Sequence, residues 1–216
     1  MQKLKIDKKT MQLYLVTDNA WLKGKTLESQ VEEAVRGGVT FVQLRNKDIC
    51  SEELAAEAKN IKKITDRYKI PFVVNDDIRA ALEADADGVH VGQSDMSAKD
   101  VRSLIGEAKI LGVSVQSVQQ ALLAQKQGAD YLGVGAVFPT GTKNDADDVD
   151  ANTVAEICRA VNIPVVAIGG ISEKNIHELC GMGLDGVAVI SAILSKSDIS
   201  GASVELLELS RKITEI

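Results

Sequence analysis

Short apolar runs recur along this chain at nearly even spacing, and the stretches between them carry apolar residues three and four positions apart. Four of the runs share one opening: a small residue, then often an acid, then the apolar stretch. They are Gly37-Gly38-Val39-Thr40-Phe41-Val42, Ala86-Asp87-Gly88-Val89-His90-Val91, Gly128-Ala129-Asp130-Tyr131-Leu132-Gly133-Val134 and Gly183-Leu184-Asp185-Gly186-Val187-Ala188-Val189. Four runs of a second kind alternate with them: Met11-Gln12-Leu13-Tyr14-Leu15-Val16, Ile70-Pro71-Phe72-Val73-Val74, Lys109-Ile110-Leu111-Gly112-Val113 and Ile163-Pro164-Val165-Val166-Ala167-Ile168. All are apolar nearly throughout rather than at every second position. That pattern predicts strands buried on both faces, as in a parallel sheet.

The intervening stretches read as helices. Leu27, Val31, Ala34 and Val35 recur at helical spacing, as do Leu54, Ala58 and Ile61, and later Ile176, Leu179 and Cys180. Ser97 with Asp100, Ser117 with Gln120 and Thr153 with Glu156 supply capping signals. Eight strand–helix alternations over 216 residues leave about 27 per unit, which predicts an α/β fold: a single (β/α)8 TIM barrel. No Pro/Gly/Ser-rich linker divides it, so residues 1–216 read as one domain, with 1–10 a short tail or leading helix. The competing fold, a doubly wound open sheet, lacks a Gly-x-Gly-x-x-Gly after the first run.

Charge and composition narrow the partners. A net charge of −6 with 3% aromatic residues argues against nucleic acid, which calls for a basic face or stacking platforms. Lys3, Lys5, Lys8 and Lys9 make a local basic cluster of the kind a solvated tail carries. Cys50, Cys158 and Cys180 are scattered and His90 and His177 are the only histidines, so neither a disulfide framework nor a zinc site is expected. No run is long enough to span a bilayer and the N-terminus lacks a signal-peptide core, so the expectation is a cytoplasmic protein that avoids membranes. Monomer and homodimer both remain open.

In such a barrel, chemistry gathers where strands finish. After the second run come Gln43, Arg45 and Lys47 on alternate residues, able to face one side together and to receive phosphoryl oxygens. After the third come Asn75, Asp76 and Asp77, of which Asp77 suits the cap of the next helix and leaves Asp76 spare. After the fourth, Asp95 is spare too, because Ser97 caps the following helix. Two carboxylates about 4 Å apart repel by about 4 kcal/mol at an effective dielectric near 20. A Mg2+ ion between them removes that cost, and a general acid–base pair is the other use of such carboxylates. Arg45 and Lys47 alongside favour metal and phosphate.

Ser114 ends the fifth run without a partner set that would make it a nucleophile. After the sixth, Phe138-Pro139-Thr140-Gly141-Thr142-Lys143-Asn144-Asp145 packs hydroxyls, backbone N–H groups and one ammonium into a loop running to about Asp150, suited to an anion. Asp145, Asp147 and Asp148 surround that lysine. Gly169-Gly170 follows the seventh run, and Ile190-Ser191 opens a helical stretch after the eighth, a frequent monophosphate position in this barrel. One side of the mouth is thus charged for a pyrophosphate and the other is a neutral cradle for a monophosphate.

Taken in order, Leu13-Tyr14-Leu15-Val16-Thr17-Asp18, Gln43-Leu44-Arg45-Asn46-Lys47, Val74-Asn75-Asp76-Asp77, His90-Val91-Gly92-Gln93-Ser94-Asp95, Phe138-Pro139-Thr140-Gly141-Thr142-Lys143 and Ile168-Gly169-Gly170-Ile171 resemble the motif series of the thiamin phosphate synthase family. The resemblance implies a Mg2+-dependent transferase that joins hydroxymethylpyrimidine pyrophosphate to hydroxyethylthiazole phosphate and releases pyrophosphate. It implies that Gln43, Arg45, Lys47, Asn75 and Lys143 hold the pyrophosphate and that Asp76 and Asp95 hold Mg2+. Thr140, Thr142, Gly170, Ile190 and Ser191 would hold the thiazole phosphate, with Ser114 near the pyrimidine. Arg45, Lys143 and Ser114 are the residues it would make catalytic. Two positions depart from the pattern: Asn46 replaces a frequent Glu, and Gln116 a frequent His.

Three rivals stand beside this reading. A thiazole tautomerase-like paralogue is disfavoured by Gln116 and by the complete Arg45/Lys47/Asp76/Asp95/Lys143 set. Another phosphate-binding barrel enzyme, such as a sugar-phosphate epimerase, would want an acid and a base across its substrate. A non-catalytic thiamin phosphate sensor has little use for a metal-assisted leaving-group site.

Overall fold

A computed structural model describes residues 6–140 and 149–215. Eight parallel strands close into a barrel in chain order: β1 (Leu13–Val16), β2 (Phe41–Leu44), β3 (Phe72–Asn75), β4 (Gly88–Val91), β5 (Ile110–Val115), β6 (Tyr131–Val134), β7 (Val165–Ile168) and β8 (Gly186–Val189). Pairing of β1 with both β2 and β8 completes the ring. The helices are α1 (Leu27–Arg36), α2 (Ser51–Tyr68), α3 (Ile78–Glu83), α4 (Ala98–Ile105), α5 (Val118–Lys126), α6 (Ala151–Ala160), α7 (Ser191–Leu194) and α8 (Ile199–Thr214).

The nearly continuous apolar runs are now explained, because each strand has a buried residue on both faces. Tyr14, Phe41, Val73, Ile110, Tyr131 and Val166 point inward and fill the barrel. Leu15, Leu44, Val74, Leu111 and Leu132 point outward against the helices, where Val31, Ala34, Ala58 and Ile61 meet them. Residues of one face are two apart along each strand.

The small-acid opening of every second run has a mechanical cause. At the N-terminal end of the barrel, the side chain before each even strand accepts the N–H of a residue at or beside the start of the preceding odd strand, and its own N–H donates back. Asp87 does this with Phe72 (2.9 and 2.8 Å), Asp130 with Leu111 (3.0 and 2.7 Å) and Asp185 with Val165 (2.9 and 2.8 Å). Thr40 does it with Leu13 through its hydroxyl (2.9 and 2.8 Å). These staples satisfy backbone donors that the parallel ladder leaves open, and they repeat four times around the barrel. Arg102, buried in α4, reinforces one of them by donating to Asp130 and to the carbonyls of Gly106, Lys109 and Gly128.

Several local expectations change. The strands start one to four residues later than the apolar runs, and β2, β3 and β5 extend past theirs, so Gln43, Asn75 and Ser114 lie within those strands rather than beyond them. Asp77, Ser97 and Ser117 cap α3, α4 and α5 as the sequence indicates. The cap of α6 is Asp150, whose carboxylate accepts the N–H groups of Asn152 and Thr153, and Thr153 sits inside the helix. Ile176–Leu179 forms only a 3-10 turn, with Ile176 and Leu179 buried and Cys180 exposed beyond it. Residues 8–11 form a turn in which Asp7 and Thr10 bond reciprocally. Met11 and Ile6 pack under the barrel core, and Lys8 pairs with Asp185 at 3.0 Å. Among the described residues no helix is long and apolar enough to cross a membrane.

Candidate active site

Among the described residues, most of the polar residues singled out from the sequence gather at the C-terminal mouth in two groups, with Gln43 and Ser114 in an inner pocket below. The first surrounds the ends of β2, β3 and β4. Asp76 follows β3 in left-handed backbone (φ 61°), a conformation that Asp tolerates better than most residues. Its N–H is held by the His90 carbonyl at 2.8 Å. Asn75 Nδ2 donates to Asp76 Oδ2 at 2.6 Å, and Lys47 Nζ stands 3.7 Å from the same oxygen. The Asp95 carboxyl lies within hydrogen-bonding reach of Asp76 and also accepts the Gly92 N–H at 2.8 Å.

Burial and the adjacent Asp95 charge push the Asp76 carboxyl above the ordinary carboxylate range, against the pull of Lys47 and Asn75. Two carboxylates in mutual repulsion could hold a hard, oxygen-preferring divalent cation. Among the described residues no group of three or more His, Cys, Asp or Glu side chains is placed to hold a metal ion.

Arg45 stands above this group on the β2 face. The Thr17 hydroxyl accepts its backbone N–H at 2.9 Å and donates to its carbonyl at 3.3 Å, fixing where the side chain starts. The buried Nε of Arg45 has no partner among the described residues. A guanidinium whose buried Nε has no acceptor among the described residues is suited to an anionic oxygen from a ligand.

Gln43 sits deeper than its neighbours Arg45 and Lys47. It is 4% exposed, and its Nε2 donates to the Tyr14 hydroxyl inside the barrel. It lines a narrow inner pocket with Arg45, His90, Ser114 and Ile190 rather than standing beside Lys47 and Asp76. Ser114 Oγ meets His90 Nε2 at 2.9 Å, and the Ser114 carbonyl accepts Gln93 Nε2 at 2.7 Å.

The second group forms a cleft of about 620 Å3 between the loops after β1, β6, β7 and β8. Thr140, Gly170 and Ser191 share its wall, and Ile190 faces the inner pocket next to it. Gly169 and Gly170 both have positive φ (104° and 63°), and a Cβ on Gly170 would lie 2.6 Å from the Pro139 carbonyl oxygen. The glycine pair therefore lets the loop after β6 pack directly on the loop after β7. Asn175 secures that turn by donating to the Gly170 carbonyl at 2.9 Å. Thr142 and Lys143 lie outside the described residues, as do Asp145, Asp147 and Asp148.

Sequence reasoning overlooked Tyr14 and Tyr131, whose hydroxyls meet at 2.7 Å in the barrel centre. The available signal was phase: each lies on the inward face of its strand, where a phenol needs a polar partner. It also overlooked Asp18, Trp21, Lys174 and Lys196, which complete the cleft from loops with no anion-binding signature.

A closed barrel with Arg45, a carboxylate pair and a separate polar cleft of mixed charge all at the C-terminal mouth has the architecture of a (β/α)8-barrel enzyme, whose chemistry sits at that end. The thiamine monophosphate synthase family profile matches residues 13–193. The chain is 54% identical to the thiamine-phosphate synthase of Clostridium tetani over 194 residues, covering 90% of this chain and 93% of that protein. It is 53% identical to the thiamine-phosphate synthase of Ruminiclostridium cellulolyticum over 197 residues, covering 91% and 94%. The solved thiamine phosphate pyrophosphorylase from Pyrococcus furiosus superposes with a TM-score of 0.88 at 38% identity, over 95% of this chain and 98% of that one. This chain belongs to the thiamine monophosphate synthase family and is a transferase.

Proposed function

We propose that the enzyme condenses hydroxymethylpyrimidine pyrophosphate with hydroxyethylthiazole phosphate, releasing pyrophosphate and forming thiamin phosphate. One observation carries the substrate assignment: two separate polar sites, each suited to an anion, share one barrel mouth. One is charged by Arg45, Lys47 and the Asp76–Asp95 pair, and the other is a cleft walled by Thr140, Gly170 and Ser191. A diphosphate fits the first and a monophosphate the second.

Asp76 and Asp95 would hold Mg2+, which supplies charge neutralisation of a leaving diphosphate. Arg45 and Lys47 place cationic donors on the same oxygens, Asn75 holds the Asp76 carboxylate in place, and Lys143 is assigned by the motif resemblance as a further cation for the diphosphate. The narrow pocket beneath, lined by Gln43, His90 and Ser114, is the place for the pyrimidine ring, with its methylene carbon turned up toward Arg45. Gln43 is thereby moved from the pyrophosphate to the ring, because its amide nitrogen is engaged at Tyr14. As the C–O bond lengthens, electron density flows to the diphosphate and the carbon becomes cationic. The thiazole nitrogen, held by its phosphate in the neighbouring cleft, captures that carbon. No protein nucleophile is needed; positioning, electrostatics and exclusion of water perform the reaction.

The test is an assay of the purified protein with both substrates, with and without Mg2+, reading released pyrophosphate. Turnover is expected only with all three present, and Lys143→Ala is expected to abolish it. Pyrophosphate release at the wild-type rate from Lys143→Ala, or without Mg2+, would overturn the assignment.

A further inference from the structure

A continuous hydrogen-bond chain crosses the barrel just below the mouth. Gln43 Nε2 meets the Tyr14 hydroxyl; Tyr14 and Tyr131 hydroxyls are 2.7 Å apart; Tyr131 meets His90 Nδ1 at 2.9 Å; His90 Nε2 meets Ser114 Oγ at 2.9 Å. Both tyrosines are fully buried and His90 is 7% exposed. The barrel is shaped around them: a Cβ on Gly112 would lie 2.2 Å from Tyr131 Cζ and 2.5 Å from His90 Nδ1. Gln43 and Ser114, the two ends, both line the inner pocket.

Such a chain has only two self-consistent directions, because every middle member passes on as donor what it receives as acceptor. If the Gln43 amide nitrogen faces Tyr14, Tyr14 donates to Tyr131 and Tyr131 donates to His90 Nδ1. His90 then carries its proton on Nε2 and donates to Ser114, whose own O–H is left for the pocket. If the amide oxygen faces Tyr14, every bond reverses and Ser114 spends its proton on His90. Arg45 decides between them. It stands two residues from Gln43 on the same strand face, lines the same pocket, and has a buried Nε without a partner among the described residues. A second donor turned toward that guanidinium is unfavourable, and an amide oxygen is favourable.

We infer that Tyr14, Tyr131 and His90 are positioning residues that lock the His90 ring in its Nε2–H form and thereby make Ser114 an obligate hydrogen-bond donor to the substrate ring. The pocket then offers an acceptor at Gln43 and a donor at Ser114, complementary to a heteroaromatic edge that carries an amino group and a bare ring nitrogen. This last step rests on the placement of the pyrimidine proposed above; the tautomer does not.

The ring is read directly by 15N NMR of the whole protein labelled at histidine, at pH 8, where an ordinary imidazole is neutral. Exposed His177, the other histidine, samples both tautomers and serves as the internal reference. Wild-type His90 is expected to show protonated Nε2 and bare Nδ1, and Tyr131→Phe is expected to release it toward the mixed shifts of His177. A wild-type His90 protonated at Nδ1, or one already mixed, would overturn the inference without any variant. So would a lock that survives Tyr131→Phe; Tyr14→Phe replaces that variant if it fails to fold. In turnover, Tyr131→Phe is expected to lower kcat/KM for the pyrimidine substrate about tenfold in the parent and less than about twofold in the Ser114→Ala background, the loss of one hydrogen bond counted once. Equal losses in both backgrounds would show that Tyr131 does not act through Ser114. A parent enzyme with no coupling activity would instead sink the proposed reaction and leave the tautomer result standing.

Discussion

Asp76 combines two demands that few residue types meet together. Its backbone is left-handed and its side chain is pressed against another carboxylate. Asn accepts the same backbone without charge, whereas Ala at φ 61° costs about 1–2 kcal/mol. Asp76→Asn and Asp76→Ala are therefore both expected to lose roughly 100-fold or more in turnover. Only the alanine variant should also melt lower, which thermal unfolding alongside the pyrophosphate assay will show. Cys158 offers a contrast in which burial is the main determinant of reactivity. Burial, followed by the Asp185 charge, pushes its thiol up to about 12. Raising a thiol pKa depletes the thiolate, which is the reactive form, so at pH 8 about one molecule in ten thousand is ionised there. Mild alkylation followed by peptide mapping should mark exposed Cys50 and Cys180 and spare Cys158; rapid labelling of Cys158 in the native protein would contradict its burial.

Among the elements, the even strands depend on the residue that precedes them. Asp130 closes a staple to Leu111 and also neutralises Arg102, whose side chain is 8% exposed. Asp130→Ala leaves a buried guanidinium without its carboxylate and an unpaired strand N–H, with an expected cost of about 3 kcal/mol. Asp130→Asn keeps an acceptor and should cost about 1–2 kcal/mol. Urea unfolding of the two variants measures this. Equal losses would mean that the charge on Asp130 contributes nothing. The staples lie at the barrel end opposite the site, so the surviving folded fraction of either variant should keep its KM for both substrates. That separation of ends is why stability and chemistry can be altered independently in this fold.

Across the whole molecule, closure depends on α8 packing against α1. Gly37, at the end of α1, has ordinary helical φ, yet a Cβ there would lie 2.3 Å from the Ser200 carbonyl oxygen and 2.7 Å from Ser203 Cβ. Ser210 ties the same helix to β1 through the Gln12 carbonyl. Gly37→Ala forces α8 away from the first strand–helix unit and should cost about 1–3 kcal/mol. The denaturation midpoint should fall with an unchanged slope, since the barrel unfolds as one unit. A lower slope would instead show that α8 detaches separately.

The strand–helix alternation was legible because burial on both strand faces writes itself as unbroken apolar runs. That Asp76, Asp95 and Lys47 gather at the mouth was legible because polar residues at the ends of such runs lie where parallel strands finish. Caps followed local chemistry at Asp77, Ser97 and Ser117 and failed at Thr153, where Asp150 three residues earlier was the better acceptor. Gln43 was placed at the strand's end when it is inside it, since a two-residue shift in strand boundary leaves the apolar pattern unchanged. What one-dimensional order determined, then, is which residues alternate between core and mouth, a property of neighbours along the chain. Ring closure decided that Tyr14 of the first strand meets Tyr131 of the sixth, and the packing of neighbouring strand–helix units decided that Arg102 reaches Asp130. Contacts across a barrel depend on strand number and stagger together, and no local stretch of sequence carries either.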